Sequence, residues 1–423
     1  MNKLDFPRIG DCFLYETLPN GLPVYVLPKK GFSRSVAMFA THYGGADRRF
    51  LLDGVWHDTP AGVAHFLEHK MFDLPDGSNA LQLLTARGAS ANAFTSTDTT
   101  AYYFSCTENF YDNLSLLLRF VSTPFYTEES VAKGQGIIAQ EICMGLDSPG
   151  NALYYGLMGA LYARHPARES VAGTVESISR ITPETLYACH AAFYRPCNMA
   201  LVCIGDVEAE RIAAMAAEIL GSEKLEMPRR DYGEAEALLP AEREFSREMS
   251  ISAPKFYLGA KTLWPESGED RLRLLLTADL ALQTLLGESS PFFTDLYDAG
   301  LLRRDFGAGF ESSAGTAAVL MGGESKDPDA VCAAVGKAVE RLRREGFDED
   351  RFERCRKAMY GAYLQGLSGF TSLAQSVIGS VFEGYLLPQL FSVLPELSME
   401  ECRSFLLDTL DPSRLARAVI RPL

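Results

Sequence analysis

The sequence predicts an α+β protein made of two similar α/β sandwich halves, each an antiparallel-rich sheet covered by helices, joined by a linker. Three observations carry this expectation. At 423 residues the chain is too long for one ordinary hydrophobic core and asks for two or three domains. Strand and helix patterns run to about residue 220, stop, and then restart in a similar order. Where they stop, residues 223–249 are charged, hold two prolines and show little periodicity, which reads as a linker. The expected domains are therefore residues 1–222, a linker 223–249, and residues 250–423.

Each element has a local reason. Apolar runs at 22–27 and 35–43, rich in Val, Phe and Tyr and bounded by Pro, Gly and Lys, read as strands. The turn-rich Gly44-Gly45-Ala46-Asp47 follows, and then a helix over 62–72, with Val63, Phe66 and Leu67 at helical spacing and Thr59 and Pro60 as its start signal. A short helix around 81–84 precedes residues 91–107, whose Thr and aromatic content suits strands. Helical spacing marks 108–122, 127–146, 152–163, 183–193 and 209–220, with a strand at 199–204. Beyond the linker come a strand at 256–261, a helix at 270–286 and strands near 305–310 and 317–321. Helices at 328–344 and 348–364 and a closing strand at 415–420 complete the second half.

Composition excludes several classes of function. With 47% hydrophobic and 22% charged residues the chain is that of a soluble globular protein. A formal charge of -15 repels nucleic acid and anionic membrane surfaces, so neither is expected as a partner. The nine cysteines contain no Cys-x-x-Cys pair and read as thiols in a reducing compartment. Residues 1–11 lack the apolar run of a secretory leader, and no segment offers eighteen apolar residues in a row. The expected location is the cytoplasm of a bacterial cell.

One stretch carries chemistry. In the 62–72 helix, His65 and His69 stand one turn apart on the same face with Glu68 between them. Two neutral imidazoles at i and i+4 can share a divalent ion, and a carboxylate beside the second can hold an attacking water. This is the His-x-x-Glu-His order, the inversion of the commoner zinc-protease motif. A second feature lies far along the chain, where Glu141 clusters with Ile137, Ile138 and Ile142 on one side of its helix. A carboxylate on an apolar face is expensive unless paired, so Glu141 wants a cation. By contrast His42 and His57 read as structural, Cys143 as a small core residue, and Tyr154, Tyr155 and Tyr162 as core. The second half contains no histidine, so the chemistry belongs to the first.

Several stretches together resemble the pitrilysin-like inverzincin peptidases, in the half-length branch that includes the mitochondrial and bacterial processing peptidases. They are His65-Phe66-Leu67-Glu68-His69-Lys70-Met71-Phe72, Asn92-Ala93-Phe94-Thr95 leading to Thr100-Ala101-Tyr102-Tyr103, and Gly136-Ile137-Ile138-Ala139-Gln140-Glu141-Ile142. His165-Pro166, Ala172-Gly173-Thr174 and Phe193-Tyr194-Arg195-Pro196-Cys197-Asn198-Met199 extend the match, which spans roughly 10–206. The resemblance implies one zinc ion per chain, held by His65, His69 and Glu141, with Glu68 as general base. Glu108 and Asp147 rival Glu141 in sequence, but they sit at helix ends, where a solvated charge needs no explanation. The resemblance also implies that the Ala91 stretch is an edge strand that pairs with an extended peptide, with Asn92, Ala93 and Phe94 at the substrate.

Two departures from the family pattern bear on function. A supporting glutamate common in the family seven residues before the third ligand is here Gly134. In the second half, active relatives supply an Arg and, seven residues later, a Tyr; here Tyr297 and Arg304 stand in those places, so that Arg303 or Arg304 substitutes or another chain contributes. The family implies a dimer, in some relatives a heterodimer whose homologous second subunit lacks the zinc motif and supplies the Arg/Tyr pair. The implied activity is zinc-dependent endopeptidase cleavage of short or unfolded peptides in an enclosed chamber. The alternative is a non-catalytic structural or peptide-binding subunit of such an assembly.

Overall fold

Val, Tyr and Phe fit a pleated, half-buried surface, and the runs rich in them become strands. The computed structural model describes residues 1–6 and 10–423; residues 7–9, part of the stretch read above for a leader, lie outside the described residues. The strands, in chain order, are β1 (Asn2–Asp5), β2 (Cys12–Thr17), β3 (Pro23–Pro28), β4 (Ser35–Thr41), β5 (Arg49–Leu52), β6 (Val55–Asp58), β7 (Ser90–Thr95), β8 (Thr100–Cys106), β9 (Met199–Gly205) and β10 (Arg229–Arg230). Then follow β11 (Glu244–Met249), β12 (Lys255–Lys261), β13 (Gly307–Ser313), β14 (Thr316–Glu324) and β15 (Ala416–Pro422).

The chain forms two compact units. The first comprises Met1–Ile142, Ser170–Tyr232 and Gln365–Gln389. Its main sheet has the order β1-β2-β3-β9-β4-β8-β7, parallel between β3 and β9 and antiparallel elsewhere. Phe39, Tyr102, Phe104 and Leu201 on this sheet meet Phe66 and Leu67 of the motif helix in one core. A small sheet, β10-β5-β6, stands beside it. The second unit comprises Cys143–Glu169, Gly233–Leu364 and Leu390–Leu423, with the sheet order β11-β15-β12-β14-β13.

The internal repeat is visible in this topology. Ranked by chain position, β3, β4, β7, β8 and β9 lie side by side as first, fifth, second, fourth, third, and β11 to β15 follow the same order. In both sheets the first and last strands are the parallel pair.

The units nevertheless do not follow the boundaries expected at 222 and 249. Helix Pro149–Leu161, early in the chain, packs Leu153, Leu157 and Leu161 onto the sheet of β11, β12 and β15. Helix Phe370–Phe382, late in the chain, buries Phe370, Leu373, Ala374, Val377 and Ile378 and packs on β4 and β9. Each sheet is thus covered by a helix from the other half of the sequence. Residues 223–249 are not a plain linker either, since they supply β10 to the first unit and β11 to the second. Their charged side chains fit because β11 is an edge strand and exposes most of its residues.

Smaller differences have local causes. Cys143 is exposed rather than core, and all nine cysteines are free. Tyr162 is buried, whereas Tyr154 and Tyr155 are half-buried, the Tyr154 hydroxyl donating to Glu311 Oε2 at 3.1 Å. No single helix among the described residues is long and apolar enough to cross a membrane.

Candidate metal centre

The motif helix is Val63–Lys70, one residue shorter at its start and two at its end than the sequence pattern indicates. Thr59 does not cap it; its hydroxyl donates to the Arg48 carbonyl at 3.0 Å. Gly62 takes that position with φ of 95°, and its carbonyl accepts the Phe66 N–H at 2.9 Å. Any Cβ on residue 62 would stand 2.5 Å from the Ala172 carbonyl oxygen. Gly62→Ala is therefore expected to destabilise the protein by about 3 kcal/mol through left-handed strain and collision, measured by chemical denaturation. An unchanged midpoint would show that the helix start tolerates a side chain.

Phe66 and Leu67 are fully buried and anchor the helix, which leaves His65 and His69 on its other face with ring centroids 4.7 Å apart. Glu141 reaches them from the helix Glu128–Leu146. Its Oε1 lies 3.5 Å from His65 Nε2 and its Oε2 3.5 Å from His69 Nε2. One donor atom from each of the three residues falls within 4.8 Å of the others, the one grouping of its kind among the described residues. Zinc bonds of about 2.0–2.2 Å in a tetrahedral array place neighbouring donors roughly 3.4 Å apart, so the two His–Glu separations suit a shared ion better than a hydrogen bond. Glu141 was expected on an apolar face; its helix instead buries Ile138 and Ile142 while Ile137 and the Glu141 side chain are about half exposed. That exposure leaves the grouping open on one side.

The electrostatics favour metal-competent protonation states. Burial holds the His65 imidazole below its ordinary pKa, the His69 charge adds to this, and Glu141 opposes both. Burial lowers His69 as well, against the pull of Glu141. Neutral imidazoles are what a divalent ion requires. Glu68, buried on the motif helix, is pushed up to about 7, first by burial, with Glu141 adding and a hydrogen bond from Thr95 opposing. That hydrogen bond is short, Thr95 Oγ1 to Glu68 Oε2 at 2.6 Å.

Thr95 closes β7, the edge strand that also carries Asn92, Ala93 and Phe94, paired with Tyr103, Tyr102 and Ala101 of β8. Asn92 Oδ1 accepts the Ala93 N–H at 2.9 Å. The sequence reading gives Thr95 no role, although alternation along a strand puts it on the same side as Ala93.

Around this grouping the supporting contacts are sparse. His65 Nδ1 is buried and finds no hydrogen-bond partner. At Gly134 a Cβ would come 3.1 Å from the Phe66 ring and 3.2 Å from Lys70 Cδ. A side chain at 134 would therefore press on Lys70, which is buried and ion-paired with Asp73 at 2.5 Å. A cavity of about 370 Å³ opens beside His69, with Lys70, Lys133 and Ile137 in its wall. The rival carboxylates Glu108 and Asp147 are exposed and join no such grouping.

Other expected residues lie elsewhere. His42 stacks on Phe382 at 4.8 Å and His57 on Phe50 at 5.4 Å. Arg303 and Arg304 belong to the second unit, in the turn before β13, where Arg303 Nε pairs with Glu324 Oε1 at 2.8 Å and Arg304 is exposed. Tyr297, also in that unit, is stacked with Phe293 at 5.8 Å.

Residues 53–175 match the family described as insulinase (peptidase family M16), and residues 180–359 match the peptidase M16 inactive domain. Over 430 aligned residues, 100% of this chain and 99% of the relative, the chain is 36% identical to the uncharacterised zinc protease YmfH of Bacillus subtilis. A solved structure described as an M16-like peptidase from Alicyclobacillus acidocaldarius superposes with a TM-score of 0.94 at 33% identity, covering 99% of this chain and 100% of the other. The fold alone is shared with a peptidase M16 inactive domain from Pseudomonas fluorescens, at a TM-score of 0.78 and 16% identity, covering 97% of this chain and 98% of that one.

Proposed function

We infer that this chain, which belongs to the M16 peptidase family, is a zinc-dependent endopeptidase of the inverted His-x-x-Glu-His type that cuts short or unfolded peptides in an enclosed chamber. The observation that carries the reading is the convergence of His65, His69 and Glu141 beside a buried Glu68. The residues fit the ion: two neutral imidazoles and one carboxylate leave the open fourth position of a catalytic site. A zinc ion held there would supply a Lewis acid that acidifies a water and polarises a peptide carbonyl.

The chain's own residues do the rest. Glu68 accepts the water proton as its oxygen bonds to the carbonyl carbon, and delivers that proton to the amine nitrogen as the C–N bond breaks. The free edge of β7, with Asn92, Ala93 and Phe94, takes the extended substrate by main-chain pairing, which tolerates varied sequences. Nine free thiols suit a reducing compartment such as the cytoplasm.

A second chain belongs to the same proposal. Arg303 is engaged by Glu324, and the family's Arg-then-Tyr order is absent, which supports a dimer whose partner, of similar size, supplies those groups. One experiment tests metal dependence: a mixture of quenched peptides incubated with the chain, with and without chelator. Cleavage is expected to vanish with the metal and return on adding zinc. Peptide binding that is indifferent to chelator, with no cleavage in any sample, would instead establish a peptide-binding subunit. If the purified chain alone cuts as fast as it does beside its natural neighbour, the partner is unnecessary.

A further inference from the structure

We propose that Thr95 is a positioning residue that fixes which oxygen of Glu68 is free to take the proton. The proposal rests on the peptidase reading above and goes beyond it. Thr95 Oγ1 and Glu68 Oε2 are 2.6 Å apart, the separation of a strong hydroxyl-to-carboxylate bond. The direction of that bond is set by its neighbours. Thr100, opposite Thr95 in the last rung of β7 and β8, spends its own hydroxyl proton on the Tyr43 carbonyl at 2.8 Å. Its oxygen stands 3.4 Å from Thr95 Oγ1, much the longer contact. The Thr95 proton therefore goes to Glu68, and Oε2 accepts it.

The strand end that carries Thr95 is held firmly. The following turn is closed by the Ser96 N–H on the Thr99 carbonyl at 2.7 Å, and its carbonyls at Ser96 and Thr97 accept the N–H groups of Gly45 and Ala46 at 3.0 and 2.8 Å. Asp47, fully buried, in turn accepts the Gly44 N–H at 2.8 Å. The hydroxyl is thus a fixed donor on a rigid platform, and it pins a carboxylate that is otherwise attached through a rotatable side chain. With Oε2 occupied, the proton removed from water resides on Oε1, and the same oxygen returns it to the departing amine. No atom or electron is gained or lost beyond those of hydrolysis. Since β7 is also the strand on which the peptide is proposed to lie, one residue registers base and substrate to each other.

The test uses the full zinc-loaded chain carrying Thr95→Val, which keeps the shape and deletes the donor, and Thr95→Ser, which restores it. For Thr95→Val, kcat is expected to fall by about 10–100-fold, the usual cost of losing a supporting hydrogen bond beside a catalytic centre. KM, the zinc dissociation constant and the melting temperature are expected to hold. Peptide affinity, read by fluorescence anisotropy in a Glu68→Gln background that does not cleave, is expected to be the same with Thr or Val at 95. Thr95→Ser recovers most of kcat. An undiminished kcat in Thr95→Val, a loss traceable to weaker zinc or peptide binding, or a failure of serine to rescue each overturns the positioning role while leaving the peptidase reading intact. A wild-type chain that binds zinc and cuts nothing, alone or beside its natural neighbour, overturns both.

Discussion

Glu68→Gln is expected to lower peptide cleavage by about 10³-fold, the typical contribution of a positioned general base, while the chain still takes up one zinc. The amide keeps the volume and the acceptor that Thr95 uses, and it is not among the three groups that converge on the ion site. A fall in zinc content of the same size would show that Glu68 serves as a ligand instead. The pH dependence carries a sign. Because burial raises Glu68 to about 7 in the metal-free protein, the neutral form dominates below that value and the base is lost as pH falls. A bound dication stabilises the ionised form, so the acid limb of kcat/KM is expected between the ordinary carboxylate value and about 7. The same shift acts on folding. A carboxyl whose pKa is raised on folding binds its proton more tightly in the folded state, so its contribution to stability falls as pH rises from the unfolded value towards 7. Above pH 7 the metal-free Glu68→Gln protein is therefore expected to be the more stable one, by about 3 kcal/mol.

Much of the centre was legible because its information is local. His65, Glu68 and His69 need only a helix to stand together, and Phe66 and Leu67 show which face that helix buries. Glu141 lies 72 residues further on, and no spacing rule connects it; its charge beside Ile138 and Ile142 suggested a cation, and family resemblance named the partners. Thr95 escaped because a threonine in a strand has an adequate explanation in β propensity alone.

The fold was legible in its repeat and illegible in its exchange. Helix Phe370–Phe382 holds three serines, a glycine and several β-branched residues, a poor helical composition that tertiary burial on β4 and β9 overrides. Nothing in the local pattern of helix Pro149–Leu161 says that its apolar face belongs to β12 and β15. Strands such as β5, β6 and β10 are two to four residues long, at or below the shortest length at which alternation is readable. Residues 244–249 read as charged linker because an edge strand tolerates polar side chains that a central one does not.

The second large effect is expected at Glu141. Glu141→Gln removes the one anionic donor of the three and is expected to weaken zinc binding by roughly 10³-fold, an equal share of the ~10–16 kcal/mol with which proteins hold structural zinc. Folding is expected to survive, because the helix Glu128–Leu146 is anchored by Val131, Ile138 and Ile142 rather than by the half-exposed carboxylate. In the metal-free protein the change should even be nearly neutral, since the 3.5 Å separations to His65 and His69 are too long for strong hydrogen bonds. Glu108→Gln and Asp147→Asn provide the comparison: both remove an exposed carboxylate that rivals Glu141 as the third ligand in sequence, and both are expected to leave zinc affinity unchanged. Titration of the metal-free variants with zinc, followed by calorimetry, separates the three. Should Glu141→Gln bind as tightly as wild type while one of the other two loses the ion, the carboxylate ligand has been misassigned. The proposed mechanism would then need a different way of bringing its third donor to the histidine pair.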